Sequence, residues 1–174
     1  MPPMVSYLYV AAAILLRLAP HPWNVTPLGS MFLFGGATFK SRAASLLVPL
    51  AALMLSDLFV VTVVWGGRYD WYTPYTWIAF LLVGLIGWLL RGRMTGLNVL
   101  AASLAGSIVF FVVSNFGVWL NGLDYPQTRE GLVECYIAAL PFFRNAILGD
   151  LFYAGLMFGS YHWLSRRIPS LRAS

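Results

Sequence analysis

Long apolar runs separated by short polar joins are the feature of this sequence that most restricts its fold. Of 174 residues, 60% are hydrophobic and only 10% are charged, whereas an average soluble domain has about 25% charged residues. A helix that crosses a bilayer needs about 20 mainly apolar residues, and the chain offers five or six such stretches. We therefore predict one integral membrane domain over residues 1–174, with no room for a soluble domain.

The apolar runs predict an all-α, polytopic membrane protein with six transmembrane helices. The predicted spans are Val5–Ala19, Thr26–Phe39, Ala43–Trp65, Thr76–Leu90, Leu97–Leu120 and Phe143–Leu164. The second span is short for a bilayer at a rise of about 1.5 Å per residue, so we expect it to be broken, re-entrant or buried among its neighbours. Its Gly29, Gly35 and Gly36 would allow another helix to approach closely, which favours burial. We do not interpret the first span as a cleavable signal peptide, because no basic residue precedes it and Arg17 lies where cleavage requires small, neutral residues.

The distribution of charge predicts the orientation, because lysine and arginine gather in the cytoplasmic joins of membrane proteins. With the N-terminus inside, these joins hold seven of the eleven basic residues, namely Lys40, Arg42, Arg91, Arg93, Arg166, Arg167 and Arg172. The acids all belong to the opposite side: Asp57, Asp70, Asp124, Glu130, Glu134 and Asp150. We therefore predict an N-in, C-in, multi-pass protein of the bacterial cytoplasmic (inner) membrane. This topology explains the net charge of +5, and we predict no nucleic-acid partner because the basic residues do not cluster on one polar face.

Three polar residues are predicted to lie at a similar depth inside the bilayer. Asp57 and Asp150 fall about 10 to 12 Å below the outer surface, and Asn115 about 8 Å below it, at about 1.5 Å per residue. A charged side chain at this depth costs at least about 2.5 kcal/mol on insertion scales, so it needs a partner or a water-filled cavity. Arg17 and Arg144 are the nearest cations. Each can pair with one of the acids or extend to the lipid headgroups, and the sequence leaves both alternatives open.

Three predicted outer loops lie above these groups. Residues 20–24 carry two prolines, and Gly66–Tyr75 ("GGRYDWYTPY") is typical of an interfacial aromatic belt or a stacking lid. The third loop is about twenty residues long, and its apolar piece Leu132–Leu140 predicts a short surface or re-entrant helix. The predicted substrate-binding residues are Arg17, His21, Asn24, Asp57, Asn115, Tyr125, Arg144, Asn145, Asp150 and Tyr153.

Catalytic signals are weak, so we predict that the protein is not an enzyme and has no catalytic residues. His21 and Cys135 belong to separate loops without a surrounding motif. Asp57 and Asp150 could form a proton relay or an aspartyl pair, but they lie in no pattern typical of an aspartyl protease, and a structural ion pair is the favoured use. The sequence shows neither a phosphate-binding glycine loop nor a cluster of metal ligands. We therefore predict no cofactor and no metal.

Four segments carry a resemblance to a known family: "LRLAPHPWNVTPLGSMFLFGGATF", "LVPLAALMLSDLF", "SNFGVWL" and "YPQTREGLVECYIAALPFFRNAILGDLFY". Together they resemble a family of small uncharacterised bacterial membrane proteins that is assigned to transport and related to the substrate-binding S components of energy-coupling factor (ECF) transporters. The resemblance implies six helices and an outward-facing pocket roofed by the loops after the first, third and fifth spans. S components capture a vitamin or metal-related nutrient and reorient to release it inward. The partners that the resemblance implies are an energising transmembrane subunit and two ATPases.

The first span departs from the pattern by which many S components dock on their partner. That pattern is alanine-x-x-x-alanine, whereas Ala11, Ala12 and Ala13 are consecutive here. Solitary operation is therefore an alternative to docking on an energising module. A cobalamin-binding branch of solitary S components uses a cysteine ligand for cobalt, and Cys135 lies on the correct side, although no motif surrounds it.

Two functions from different classes remain open at this point. The first is a membrane transport protein that captures an unknown small-molecule nutrient in an outward-facing pocket, with the lipid bilayer as its surroundings. The second is a structural or accessory subunit of a larger membrane complex, in which the polar residues pair only to hold the helices together.

Overall fold

The computed structural model describes residues 3–64, 66 and 73–168, which form six α-helices and one π-helical turn without any strand. The α-helices are α1 (Pro3–Leu18), α2 (Leu28–Thr38), α3 (Arg42–Phe59), α4 (Thr73–Leu89), α5 (Gly96–Leu120) and α6 (Arg129–Arg167). The turn Val60–Val64 directly follows α3. The predicted all-α class is confirmed for these residues. Most of the predicted aromatic loop Gly66–Tyr75 lies outside them.

Three helical stretches are long and apolar enough to cross a membrane: Arg42–Val63, Gly96–Leu120 and Arg129–Arg167. Three shorter apolar helices accompany them: Met4–Leu18, Leu28–Thr38 and Pro74–Leu89. Many large apolar side chains on the long helices face outward, including Leu55, Ile108 and Phe152. In a soluble protein such a surface would promote association, whereas lipid tails would cover it in a membrane. The described structure therefore supports membrane association.

Helix α2 lies at the centre of the bundle and contacts each of the other five helices. Ten of its eleven residues are buried, and Met31, Phe32 and Phe34 are fully enclosed. An 11-residue helix is only about 16 Å long. It cannot cross a bilayer core of about 30 Å, and its neighbours shield it instead. The expectation that this segment is short and buried is confirmed.

Glycines allow α2 and α4 to pack backbone against backbone. A Cβ atom on Gly36 would lie 2.2 Å from the carbonyl oxygen of Gly84 and 2.9 Å from the Cα of Gly87. A Cβ atom on Gly87 would lie 2.4 Å from the carbonyl oxygen of Leu33. These separations are shorter than a real Cβ contact, so the interface requires glycine on both helices.

Successive helices run antiparallel, which gives the bundle an acidic half and a basic half. Near one end Ser6 of α1 donates to Thr38 of α2 at 3.2 Å, and Trp88 of α4 donates to Ser45 of α3 at 2.9 Å. This basic half carries Lys40, Arg42, Arg91, Arg93, Arg166 and Arg167. The described acids all belong to the opposite half: Asp57, Asp124, Glu130, Glu134 and Asp150.

The last helix is longer than we predicted from the sequence. The predicted surface helix Leu132–Leu140 and the predicted span Phe143–Leu164 are parts of one 39-residue helix, α6, with Pro141 inside it. At about 1.5 Å per residue, α6 is about 58 Å long. Its first turns pack along the last turns of α5, where Tyr136 Oη donates to the carbonyl of Val112 at 2.6 Å. The ring of Phe111 on α5 contacts Tyr136 before the proline and Phe143 after it, so α5 packs against α6 on both sides of a residue that lacks the N–H for the helical hydrogen bond.

Candidate functional site

A partly buried ion pair joins α1 to α3. Arg17 Nη2 lies 2.5 Å from Asp57 Oδ1, and each side chain is only 14% exposed. Arg17 Nη1 also donates to Ser56 Oγ. From α4, Trp77 Nε1 donates to the second carboxylate oxygen of Asp57 at 2.7 Å. Both oxygens of Asp57 are thus hydrogen-bonded, and the cluster holds three helices together.

The same region holds His21 at the end of α1. Its Nε2 atom lies 3.0 Å from the carbonyl oxygen of Arg17, and its Nδ1 atom lies 3.1 Å from that of Pro22. The ring, three residues beyond α1, therefore contacts one carbonyl oxygen in the last turn of α1 and one in the loop that follows it. It stabilises the start of the α1–α2 loop, since the last carbonyls of a helix have no partner within that helix.

Asp150 has hydrogen-bond donors on two neighbouring helices. From α5, Ser107 Oγ donates to Asp150 Oδ2 at 2.7 Å, and from α2, Ser30 Oγ donates to its backbone carbonyl at 2.8 Å. The other carboxylate oxygen packs against Gly29, where a Cβ atom would lie 2.2 Å away. Gly29 therefore makes the space that the carboxylate occupies beside the first turn of α2.

Asp150 differs from Asp57 because no cation pairs with it. Within the part of the chain that the structure describes, the one salt bridge joins Arg17 to Asp57. Asp150 is partly buried between helices, and a carboxylate there without a countercharge is costly unless it takes up a proton or binds a cation or a donor group. One turn before Ser107, the hydroxyl of Ser103 is buried without a hydrogen-bond partner among the described residues. The α5 helix therefore carries an unused hydroxyl one turn from the serine that bonds Asp150.

The α1–α2 loop rests on α6 at Asn145 and at Gly149, five residues and one residue before Asp150. Asn145 Nδ2 donates to the carbonyl of Trp23 at 3.2 Å. A Cβ atom on Gly149 would lie 3.0 Å from the Cα of Val25, so the loop backbone touches the helix surface. Asn24 has a φ of +60°, a left-handed conformation that asparagine adopts more readily than most residues. The loop is thus shaped to lie against α6.

An apolar cleft of about 200 Å³ lies between α1 and α6. It is lined by Tyr9, Ala12, Ala13, Leu16, Pro27, Tyr153, Leu156 and Met157. Tyr153 follows Asp150 by one turn of α6, and Pro27 precedes Gly29 by two residues. Asp150 itself does not line the cleft; its carboxylate lies against Gly29 and Ser107, one helical turn from the lining residue Tyr153. Towards the basic half, Tyr9 and Ser160 share a hydrogen bond of 2.8 Å that joins α1 to α6.

A second, open groove of about 360 Å³ lies where α4 begins and α5 ends. Its lining residues are Tyr75, Leu120, Asn121 and Leu123, and none of them belongs to the predicted site. We therefore place the candidate site at the α1–α6 cleft and Asp150.

The structure does not bring all of the predicted site residues together. Asn115 Nδ2 donates to the carbonyl of Phe111 in its own helix at 2.7 Å, so the amide does not reach Asp150. Arg144 is exposed and makes no salt bridge within the described residues. Tyr125 lies half-buried in the α5–α6 loop. Arg17, His21 and Asp57 are grouped near the end of α1, whereas Asn145, Asp150 and Tyr153 are aligned along α6.

Four residues that matter to these clusters were not predicted from the sequence: Ser30, Ser56, Trp77 and Ser107. Serine in a membrane helix is ordinary because its hydroxyl can bond to a carbonyl one turn earlier, as Ser114 does with Phe110 at 2.7 Å. The sequence therefore contains no signal that distinguishes Ser107 from Ser114.

The described residues define a helical bundle with three helices that are compatible with membrane spans. The chain belongs to a family of unknown function, DUF6580, whose model matches residues 2–171. No curated protein and no solved structure matches the chain. The function is therefore argued from the site.

Proposed function

We propose that the protein is a multi-pass membrane transport protein that captures a small nutrient from outside the cell, in the manner of the ECF S components that its sequence resembles. The observation that carries the proposal is the carboxylate of Asp150, which has no cationic partner among the described residues and lies one helical turn from a residue that lines an apolar cleft. A carboxylate serving only to join helices would be expected to have a cationic partner, as Asp57 has in Arg17. A ligand that brings its own positive charge or N–H donors would complete the hydrogen bonding of Asp150.

The chemistry of the cleft limits the class of nutrient. Two tyrosines and several aliphatic side chains line it, which suits an apolar or heteroaromatic body, while Asp150 suits a protonated amine or a ring N–H. The volume of about 200 Å³ is below the roughly 300 to 1,000 Å³ that is usual for ligand pockets. The nutrient is therefore small, or α1 and α6 separate to admit it.

The proposal includes six transmembrane segments in the bacterial inner membrane, with both termini on the cytoplasmic side. The separation of charge supports this orientation, because the basic half would then face the cytoplasm. Helix α2 is too short to cross the bilayer core by itself, so we count it as the second segment together with its flanking residues, because non-helical backbone is tolerated at membrane depth where protein surrounds it. The acidic half, with Asp150 and the α1–α2 loop, would face the outside.

The partner of such a protein is an energising transmembrane subunit with ATPases, unless the chain works alone. Ala13 is buried in the bundle, and Ala12 and Ala13 line the cleft. Two of the three consecutive alanines of α1 therefore face the candidate ligand site. This arrangement favours solitary operation or docking through another helix.

A thermal-shift experiment on the purified full chain tests the capture proposal. A ligand at a hundredfold excess over its Kd adds about 2.7 kcal/mol of stability, so at least one member of a vitamin, nucleobase and amine panel should raise the Tm. Asp150→Asn should abolish that increase. The matched control Asp124→Asn removes an exposed acid of the α5–α6 loop and should keep it. If no member of the panel stabilises the wild-type chain, the proposal loses its basis.

The Arg17 cluster favours a second candidate, an accessory subunit of a larger membrane complex. Its charges are satisfied within the chain, which is what a purely structural use of polar residues requires. In this case the protein should migrate with larger partners in mild detergent, and Asp150→Asn should lower stability without changing uptake of any nutrient. Migration as a single small species would argue against it.

A further inference from the structure

The basic half contains a cluster of cations around Trp88 that the proposed transport site does not use. The guanidinium carbon of Arg42 lies 5.1 Å from the centre of the Trp88 ring, and that of Arg91 lies 6.0 Å from it. Trp88 Nε1 donates to Ser45 Oγ at 2.9 Å, which fixes the ring. Two guanidinium groups from different parts of the chain are therefore held beside one aromatic side chain.

Arg91 is positioned by the backbone but retains an unused donor. Its Nε atom donates to the carbonyl of Gly36 at 2.9 Å, and its Nη1 atom donates to that of Lys40 at 3.4 Å. Its Nη2 atom is buried and has no hydrogen-bond partner among the described residues. Burial, and then the nearby positive charge of Arg42, lower the pKa of Arg91. The guanidinium thus offers a fixed N–H group in a strongly positive environment.

No acid of the described chain lies near this cluster. The described acids all belong to the opposite half of the bundle, and the one described salt bridge is between Arg17 and Asp57. Like charges held close together repel each other, and an anion placed between them removes the repulsion. Guanidinium groups bind phosphate through paired N–H donors. The missing component of the cluster is therefore an anion with several acceptor oxygens.

The surroundings of the cluster indicate that this anion carries acyl chains. Leu47 follows Arg42 on α3 and is 60% exposed, and Leu89, next to Trp88 on α4, is 74% exposed. Both helices present apolar surface next to the cations, as the headgroup region of a bilayer requires. A free phosphate would use the cations alone, whereas a phospholipid would also cover these leucines.

We propose that Lys40, Arg42 and Arg91 form a binding site for the phosphate of an anionic phospholipid headgroup, with the acyl chains along α3 and α4. The site holds the lipid at the join between α2 and α3 and at the end of α4. A bound lipid would therefore stabilise the central α2–α4 packing. The proposal does not depend on the transport function.

Native mass spectrometry of the full chain, purified in mild detergent, tests the site with phosphatidylglycerol and phosphatidylcholine as probes. The wild-type protein should retain phosphatidylglycerol in preference to phosphatidylcholine. Arg42→Gln should weaken retention about fivefold, since a cation near an anionic lipid surface contributes about 1 kcal/mol. Arg91→Gln should weaken the retention of phosphatidylglycerol at least as much. If Arg91→Gln does not fold, the result for Arg42→Gln tests the site by itself.

The matched control is Arg167→Gln, which removes another guanidinium of the basic half that also lies over a tryptophan, 5.7 Å from the Trp163 ring. This variant should retain phosphatidylglycerol nearly as well as the wild type. Equal retention of the two lipids by the wild type, or equal losses in Arg42→Gln and Arg167→Gln, would overturn the proposal. If inorganic phosphate displaces phosphatidylglycerol at a similar concentration, the site binds free phosphate and not specifically a lipid headgroup.

Discussion

Asp57→Asn is the substitution whose effect the structure determines most directly. The change keeps the size of the side chain but removes the negative charge that faces Arg17 at 2.5 Å. It also replaces one of two acceptor oxygens that Arg17 and Trp77 use. Arg17 would remain charged and only 14% exposed, with neutral acceptors alone: the Ser56 hydroxyl and at most the one amide oxygen left at position 57.

The size of the loss in the free energy of unfolding distinguishes an ion pair from an ordinary hydrogen bond. Hydrogen bonds between membrane helices average about 0.6 kcal/mol, whereas removing one member of a buried ion pair costs about 3 to 5 kcal/mol. Because both side chains are slightly exposed, we expect a loss of about 3 kcal/mol, at the lower end of that range. The free energy of unfolding can be measured by titration with sodium dodecyl sulfate in mixed micelles.

A double-mutant cycle shows whether the lost stability comes from the interaction between Arg17 and Asp57. Arg17→Gln and Asp57→Asn together should cost less than the sum of the two single changes, with a coupling energy of about 1 to 3 kcal/mol. The control Asp124→Asn, in an exposed position, should stay within about 0.5 kcal/mol of the wild type. A loss below about 1 kcal/mol for Asp57→Asn, together with additive effects in the cycle, would refute the assignment of this pair as a joint between α1 and α3.

Two glycine substitutions test the packing of the central helix. Gly36→Ala forces a Cβ atom against the α4 backbone at 2.2 Å and should lower the free energy of unfolding by at least about 1 to 3 kcal/mol in the same titration. The control Gly159→Ala meets no atom within 4 Å and should be neutral or stabilising, because alanine favours a helix by up to about 1 kcal/mol; equal effects of the two would contradict the packing. Gly29→Ala should displace the carboxylate of Asp150, so any ligand that raises the Tm of the wild type should raise it less in this variant. An equal rise in Tm would show that Asp150 does not contribute to ligand binding.

Much of the fold follows from hydrophobic pattern and length. The limits of α1 and α5 agree with the predicted spans to within two residues at each end, because the helices begin and end close to where the apolar runs do. The burial of α2 could be predicted from its length and its glycines. The continuity of α6 could not be predicted, because Pro141 is typical of a helix boundary, and the contacts that α5 makes on both sides of it appear only in the folded bundle.

The sequence predicted some of the polar contacts between helices and missed others, because a polar side chain in a helix has more than one possible partner. The predicted depth of Asp57 in the membrane placed it near Arg17, and the sequence left open whether the two would pair. The structure contains this pair. Asn115 was expected at the same site, yet its amide bonds to its own helix. Polar side chains in a helix can bond to the carbonyl one turn earlier or to a neighbouring helix, and sequence alone does not decide between the two.

The proposal that Asp150 holds a captured nutrient is tested most directly by measuring which small molecules stay bound to the purified protein. Mass spectrometry should detect a retained molecule in the wild type, with a protonated amine or ring N–H and an apolar or heteroaromatic body. The same molecule should be absent from Asp150→Asn and present in Asp124→Asn. A wild-type protein that retains no small molecule, or an Asp150→Asn variant that retains the same molecule equally well, would contradict the account.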